Sequence, residues 1–126
     1  MHLIDTITWV DKVRITGEVK ATLRANGPYF SSQGFEKHWL IEMCAQASAA
    51  LYQASRRGID AASPNGYLIS IRQFTTVSEI ELRPEDELLF HIAFEVESAP
   101  LGQSRCLTTA CGKVIAEGEL TFLLDG

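Results

Sequence analysis

The sequence predicts an α+β domain in which an antiparallel sheet curls around one long helix. Residues 35–57 predict the helix, because they form an almost continuous apolar and small-residue run in which Glu42 is the only charge between Lys37 and Arg56. A surface helix would show a wide polar side, so this one is expected to be covered by the rest of the fold. Alternating segments joined by short turns lie on both sides of the helix and predict the sheet.

The size and charge of the chain restrict its class. A length of 126 residues suits one domain, residues 1–126, with a proper hydrophobic core. The net charge of −5 argues against a general nucleic-acid binder, which must neutralise phosphates. The first residues lack the features of a signal peptide, and residues 38–55 contain too many polar groups for a membrane span. We therefore expect a cytoplasmic protein.

The three cysteines indicate a reducing environment. Cys44 lies in the predicted helix, whereas Cys106 and Cys111 lie in a predicted strand. An odd number of cysteines without tight spacing is typical of free thiols. A disulfide between Cys106 and Cys111 is the less favoured alternative. No zinc-type spacing of Cys and His is present, so no metal is expected.

Two strands are predicted before the helix. Residues 2–11 alternate loosely, and residues 13–24 alternate well enough for a half-buried strand. Asn26-Gly27-Pro28 ends the second strand, and a loop through residues 31–33 leads into the helix.

About four more strands are predicted after the helix. Strands are expected over residues 67–74, 87–97, 103–111 and 113–124, with residues 75–82 as an extended connection or short strand. Turns are expected at residues 64–66, 83–86 and 98–102.

His38, Glu42 and Gln46 form the strongest candidate site. Their spacing of four residues places them along one side of the helix, one turn apart. A carboxylate that is kept partly out of water is suited to acid/base chemistry near neutral pH. The alternatives are that His38 is solvated and that the Glu42 and Gln46 side chains only make structural hydrogen bonds.

Other polar residues are assigned structural roles. Arg72 lies in an apolar strand and is expected on the outer side of the sheet. His91 alternates with apolar residues and is expected to be exposed or hydrogen-bonded, and residues 95–97 are expected on a solvated side.

Several segments in order resemble the hotdog-fold 3-hydroxyacyl-[acyl-carrier-protein] dehydratases. The similar segments are LIDT at residues 3–6, NGPYF at 26–30, IEMCAQ at 41–46, GYLI at 66–69, ELRPEDEL at 81–88 and VIAEGELTF at 114–122. Each segment is weakly diagnostic by itself, but together they cover nearly the whole chain in the family's order.

This resemblance implies a fold, an assembly and a site. It implies a dimer whose two central helices lie side by side, with the acyl chain and the phosphopantetheine arm in a tunnel at the interface. The family's helix carboxylate corresponds to Glu42, and the family's glutamine corresponds to Gln46. No separate cofactor is expected, because the substrate is a thioester of acyl carrier protein or coenzyme A. The predicted substrate-binding positions are Gln46, Lys37, Trp39, Gly66 and Tyr67.

The chain departs from the family pattern before the helix. The loop GHFP, which carries the family's catalytic His, is absent, and the segment between Pro28 and Glu42 is shorter. His38 is the candidate replacement but does not match the motif. The shortened segment and Trp39, three residues before Glu42, resemble the divergent ApeP-like dehydratases of aryl-polyene clusters, some of which are thought to be partner subunits. The family's upstream segment also has no counterpart before Met1, so residues upstream are expected to be missing or replaced.

Three functions follow from these observations. The first is dehydration of a 3-hydroxyacyl thioester by Glu42 with assistance from His38. The second is thioester hydrolysis, for which a helix carboxylate suffices. The third is a non-catalytic subunit that completes a heterodimer with another hotdog protein. Acyl length, the carrier and homodimer versus heterodimer stay open.

Overall fold

The computed structural model describes residues 3–57, 66–77, 81–98 and 101–124. Within them lie one helix and eight strands, two of which are short. In chain order these are β1 (Thr6–Asp11), β2 (Thr16–Thr22), β3 (Phe30–Ser31), β4 (Gly34–Phe35), α1 (His38–Arg57), β5 (Gly66–Thr76), β6 (Glu87–Ser98), β7 (Leu101–Ala110) and β8 (Lys113–Leu124).

Six strands form one sheet in the order β1-β2-β6-β7-β8-β5, and every neighbouring pair is antiparallel. Helix α1 lies against one face of this sheet and contacts all six strands. The short strands β3 and β4 pair only with each other, just before α1. The predicted α+β architecture with an antiparallel sheet and one long helix is therefore confirmed.

The core lies between α1 and the inner face of the sheet. Alternate residues of each strand point inwards, and helix residues three and four apart meet them. Fully buried members include Val19, Ala21, Leu23, Leu40, Met43, Ala47, Leu51, Leu88, Phe90 and Leu120. This packing holds the helix in one orientation and so determines which side of α1 faces away from the sheet.

In the single chain, the sheet covers α1 only on the side that faces it, and the side that carries Glu42 is not covered as expected. His38 and Glu42 are exposed, and Ala49, on the same side of α1, is only half-buried. A single sheet buries the side of a helix that faces it, and the opposite side needs another layer. Within the described residues, the side of α1 that carries Glu42 lacks that layer.

The helix begins at His38 rather than at residue 35, because the preceding residues form a hairpin. Phe30 pairs with Phe35, and Ser31 pairs with Gly34. The backbone of Gly34 has a φ of 100°, which glycine adopts without strain. The predicted loop through residues 31–33 is therefore a two-residue turn between β3 and β4.

The strand predictions differ from the structure mainly at their ends. Strand β6 extends to Ser98, and Gly102, predicted in a turn, lies in β7 opposite Phe122. Residues 75–76 continue β5 instead of forming a separate element. Residues 99–100 and 78–80, and residues 64–65 of another predicted turn, lie outside the described part of the chain.

Polar side chains occupy the outer face of the sheet. The Nδ1 atom of His91 lies 3.3 Å from a Glu18 carboxylate oxygen, and its Nε2 atom lies 3.4 Å from the hydroxyl of Thr109. The prediction of a hydrogen-bonded His91 is confirmed.

Glu95 is exposed and pairs with Arg105 at 3.1 Å, as expected for a solvated side. The side chains of Arg72 and of residues 96–97 lie outside the description.

The β7–β8 turn consists of Cys111 and Gly112, with φ angles of 52° and 77°. Ala110 pairs with Lys113 on either side of it, as in a two-residue type I′ turn. Cys111 is exposed whereas Cys106 is buried, and both are free thiols, so the alternative of a disulfide between them does not hold.

Replacing Cys111 by Asn is expected to stabilise the protein. Asn tolerates positive φ better than other non-glycine residues, so the Cys111→Asn variant should gain about 0.5–1 kcal/mol in the free energy of unfolding. Urea unfolding of this variant beside Cys111→Ala, which keeps the strain, measures the effect. Equal stability of the two variants would show that the turn backbone is not strained.

Candidate active site

Glu42 lies in the second turn of α1, on the side facing away from the sheet. Its neighbours Leu40, Met43 and Cys44 are fully buried on the opposite side. Because the i and i+4 positions of a helix share a side, His38 lies one turn before Glu42. Both side chains are exposed in the single chain. The helix thus presents an acid/base pair of residues on a surface that the chain's own sheet leaves open.

The start of α1 adds positive electrostatic potential to this surface. The N–H groups of Trp39 and Leu40 donate to the carbonyls of Glu36 and Lys37 at 3.1 and 3.0 Å. The first turn contains no acidic side chain, so nothing in that turn offsets the positive end of the helix dipole. Lys37 is exposed beside it. A developing negative charge would therefore be favoured here.

Aromatic rings support the start of the helix. Tyr29 and Trp39 meet edge to face with ring centres 6.0 Å apart, and the His38 ring lies 4.8 Å from that of Trp39. Burial, and then the Asp5 carboxylate, raise the pKa of Tyr29, so its hydroxyl stays protonated. That hydroxyl donates to the Leu3 carbonyl at 3.5 Å. These contacts restrict the positions of Trp39 and His38.

Gln46 fastens the N-terminal segment to the helix. Its side-chain oxygen accepts a hydrogen bond of 2.9 Å from the backbone N–H of Leu3. Leu3 is itself buried in the core. The sequence pattern gives no signal for this contact, because 43 positions separate the two residues. In the single chain, Gln46 therefore has a positioning contact, and its predicted contact with substrate stays a prediction.

Gly66 and Tyr67 lie on a different element from the other predicted site residues. They begin β5, at the edge of the sheet, and pair with Leu124 and Leu123 of β8. The side chain of Tyr67 lies outside the description. The structure therefore groups His38, Trp39, Glu42 and Gln46 on the first half of α1, with Lys37 directly before it, and places the two β5 residues apart from them.

The outer face of the sheet does not compete as a reaction site. A shallow polar depression of about 180 Å³ lies there, lined by Gln73, Thr75, Arg105, Glu117, Gly118 and Glu119. Arg105 is held there by Glu119 at 2.9 Å as well as by Glu95. Its charge is thus already neutralised by chain carboxylates.

The described residues were also compared with the requirements of a metal site and of a membrane-spanning helix. Among them, no three His, Cys, Asp or Glu side chains gather closely enough to hold a metal ion. The helix in this part of the chain does not combine the length and hydrophobicity needed to cross a membrane.

Solved structures share this fold. The dehydratase heterocomplex ApeI:P from Xenorhabdus doucetiae is 18% identical, with a TM-score of 0.78 over 99% of this chain and 84% of that one. The smu.793 protein of Streptococcus mutans bound to acetyl CoA is 12% identical, with a TM-score of 0.73 over 100% and 91%. The phenylacetic acid degradation protein PaaI of Thermus thermophilus is 15% identical, with a TM-score of 0.68 over 94% and 91%. At such identities the likeness establishes the hotdog fold alone.

A match to a family model identifies the family of the chain, which the similar structures do not. No curated protein matches the sequence. The model of the ApeP-like family, described as ApeP dehydratase, matches residues 1–124, which is nearly the whole chain. The resemblance to divergent dehydratases is thereby confirmed, and the chain belongs to the ApeP-like dehydratase family.

Proposed function

We propose that this protein removes water from a 3-hydroxyacyl thioester on the side of α1 that carries Glu42. The observation that supports the proposal is the exposed Glu42 carboxylate on the side of α1 that faces away from the sheet. It lies one turn after His38 and near a helix start whose first turn contains no acidic side chain. The substrate is carried on the phosphopantetheine of an acyl carrier protein or of coenzyme A, and no other cofactor takes part.

The proposed reaction needs one proton acceptor and one stabiliser of negative charge. The Glu42 carboxylate accepts a proton from the carbon next to the thioester carbonyl. Negative charge then moves onto the carbonyl oxygen, where the helix start around Lys37 and His38 favours it. The protonated Glu42 returns its proton to the leaving hydroxyl, water departs and the double bond forms. His38 is the second candidate donor for that hydroxyl.

A second hotdog subunit is proposed to cover the open side of α1. The ApeI:P dehydratase from Xenorhabdus doucetiae is a heterocomplex, and the same assembly would enclose Glu42 here. Strand β5 supports this arrangement, because it is an edge strand on which Ile71 is 41% exposed. Enclosure would also exclude water, which strengthens electrostatic stabilisation of the reaction.

A charge placed on the open side of α1 is expected to prevent this assembly. Ala49 lies on the same side as Glu42 and is half-buried, so Ala49→Lys should leave the single chain folded but disrupt packing against a second helix. Sedimentation of the variant, alone and with a hotdog dehydratase subunit, should show at least a tenfold loss of association. The control is Val114→Lys, since Val114 is 48% exposed on the outer side of β8. Unchanged association of Ala49→Lys would exclude this side of α1 as the interface.

The proposed activity is tested by mass spectrometry of the acyl thioester after incubation with the protein and a candidate partner. Loss of one water from the 3-hydroxyacyl group supports dehydration. Release of the free acid would instead support thioester hydrolysis, and no change with the complex assembled would support a non-catalytic subunit.

A further inference from the structure

Two cysteine sulfurs touch in the core, away from the side of α1 that carries Glu42. The thiol of Cys106, on β7, donates to the sulfur of Cys44, on α1, with 3.2 Å between the Sγ atoms. Both residues are fully buried. The hydroxyl of Thr108 lies 3.5 Å from the Cys44 sulfur. The contact joins residues of two different elements that are 62 positions apart in the chain.

The two sulfur atoms need to move only a short distance to form a covalent bond. A disulfide bond is about 2.05 Å long, so the two sulfur atoms need to approach by only about 1.2 Å. Each cysteine belongs to a different element, so the bond would fix the helix to the sheet. Cys111 lies exposed in the β7–β8 turn and is no part of this contact.

Burial also explains why the pair is stable as thiols in the reduced protein. Burial is the largest cause that raises the pKa of the Cys106 thiol, followed by its hydrogen bond to Cys44. Because the thiolate is the reactive form, the closed core resists oxidation. Reaction therefore requires transient separation of α1 from β7, and it should be much slower than reaction at Cys111.

We propose that Cys44 and Cys106 are a site of oxidative cross-linking that joins α1 to the sheet. With hydrogen peroxide, one thiol becomes a sulfenic acid and releases one water. The second sulfur then attacks that sulfenic sulfur, forms the S–S bond and releases a second water. In total the two thiols lose two protons and two electrons, which the peroxide takes up. A small-molecule disulfide such as oxidised glutathione gives the same product through a mixed disulfide and leaves as two thiols.

The cross-link would act on the helix that carries the candidate site. Glu42 lies two residues before Cys44 on α1. A bond between positions so far apart in sequence restricts the unfolded chain and suppresses separation of the helix from the sheet. The oxidised protein is therefore expected to hold α1 more firmly and to unfold at a higher temperature than the reduced protein.

The experiment uses the full chain with the substitution Cys111→Asn, which removes the exposed thiol and prevents links between molecules. The protein is treated with hydrogen peroxide or oxidised glutathione, denatured, alkylated and digested. Mass spectrometry is expected to find the Cys44 and Cys106 peptides joined, with a mass two hydrogens below their sum. The melting temperature should rise by about 5 °C or more and return after dithiothreitol.

Controls separate the cross-link from general oxidation. Cys44→Ala and Cys106→Ala in the same background should lose both the joined peptide and the melting shift. Detection of the joined peptide in the Cys111→Asn protein does not depend on whether these two control variants fold. The proposal is overturned if both thiols can still be alkylated after oxidation that is continued for many times the period needed to consume Cys111 in the wild-type chain. It is equally overturned if the product is only a sulfinic acid or a mixed disulfide at one of the two residues.

Discussion

Glu42→Gln is expected to lower the rate of dehydration by at least about a hundredfold, because the amide cannot accept or return the proton. The substitution keeps the shape of an exposed side chain, so the free energy of unfolding should change by less than about 0.5 kcal/mol. Single-turnover rates of the assembled complex, with unfolding curves of each variant, measure the two effects separately.

The matched control is Glu117→Gln, which removes an exposed carboxylate from the outer face of the sheet. Its rate should stay within about twofold of wild type, since surface substitutions away from a site have small effects. Undiminished turnover by Glu42→Gln would remove Glu42 from the reaction. A loss of turnover that accompanies unfolding would instead assign it a structural role.

Gly17→Ala is expected to cost about 2–3 kcal/mol of the free energy of unfolding, because the site has no room for a methyl group. Gly17 is buried in β2, between Val10 of β1 and Ile92 of β6. A Cβ atom there would lie 2.6 Å from the Trp9 carbonyl oxygen and would overlap the Cδ1 atom of Leu51 on α1. The Leu51 side chain would have to shift, and the Trp9 backbone of β1 would have to move.

A double substitution tests whether the Leu51 contact causes this loss. Leu51→Ala alone should cost about 3 kcal/mol, since Leu51 is fully buried. The double variant should be less destabilised than the sum of the two single variants by about 1 kcal/mol, while the clash with the Trp9 backbone persists. Lys20→Ala, on the outward side of the same strand, is the control and should change stability little. Strict additivity in urea unfolding would contradict the proposed clash.

The fold could be predicted well wherever local pattern determines structure. Alternation identified the strand that is observed as Glu87–Ser98, and the glycine at position 112 identified the turn between the last two strands. The hairpin formed by Phe30–Ser31 and Gly34–Phe35 was missed. Two-residue strands are too short to show a period, and their pairing depends on the backbone conformation of Gly34.

The candidate site could be predicted only in part, because two of its properties are not local. The spacing of His38 and Glu42 placed them together on one side of α1. Exposure of His38 was one of the alternatives, but exposure of Glu42 was not foreseen. The sequence pattern of an apolar helix is the same whether its own sheet or a second subunit covers it. The contact of Gln46 with Leu3 is long-range and was likewise invisible in the pattern.

The proposed reaction is removal of water from a 3-hydroxyacyl thioester by Glu42 on the open side of α1. The most direct measurement is mass spectrometry of a 3-hydroxyacyl carrier protein incubated with the complex that contains wild-type protein or Glu42→Gln. We predict loss of one water with the wild-type chain and at least about a hundredfold less with the variant. Equal water loss by both complexes would contradict a role of Glu42 in dehydration, and release of the acyl group in place of water would contradict dehydration itself.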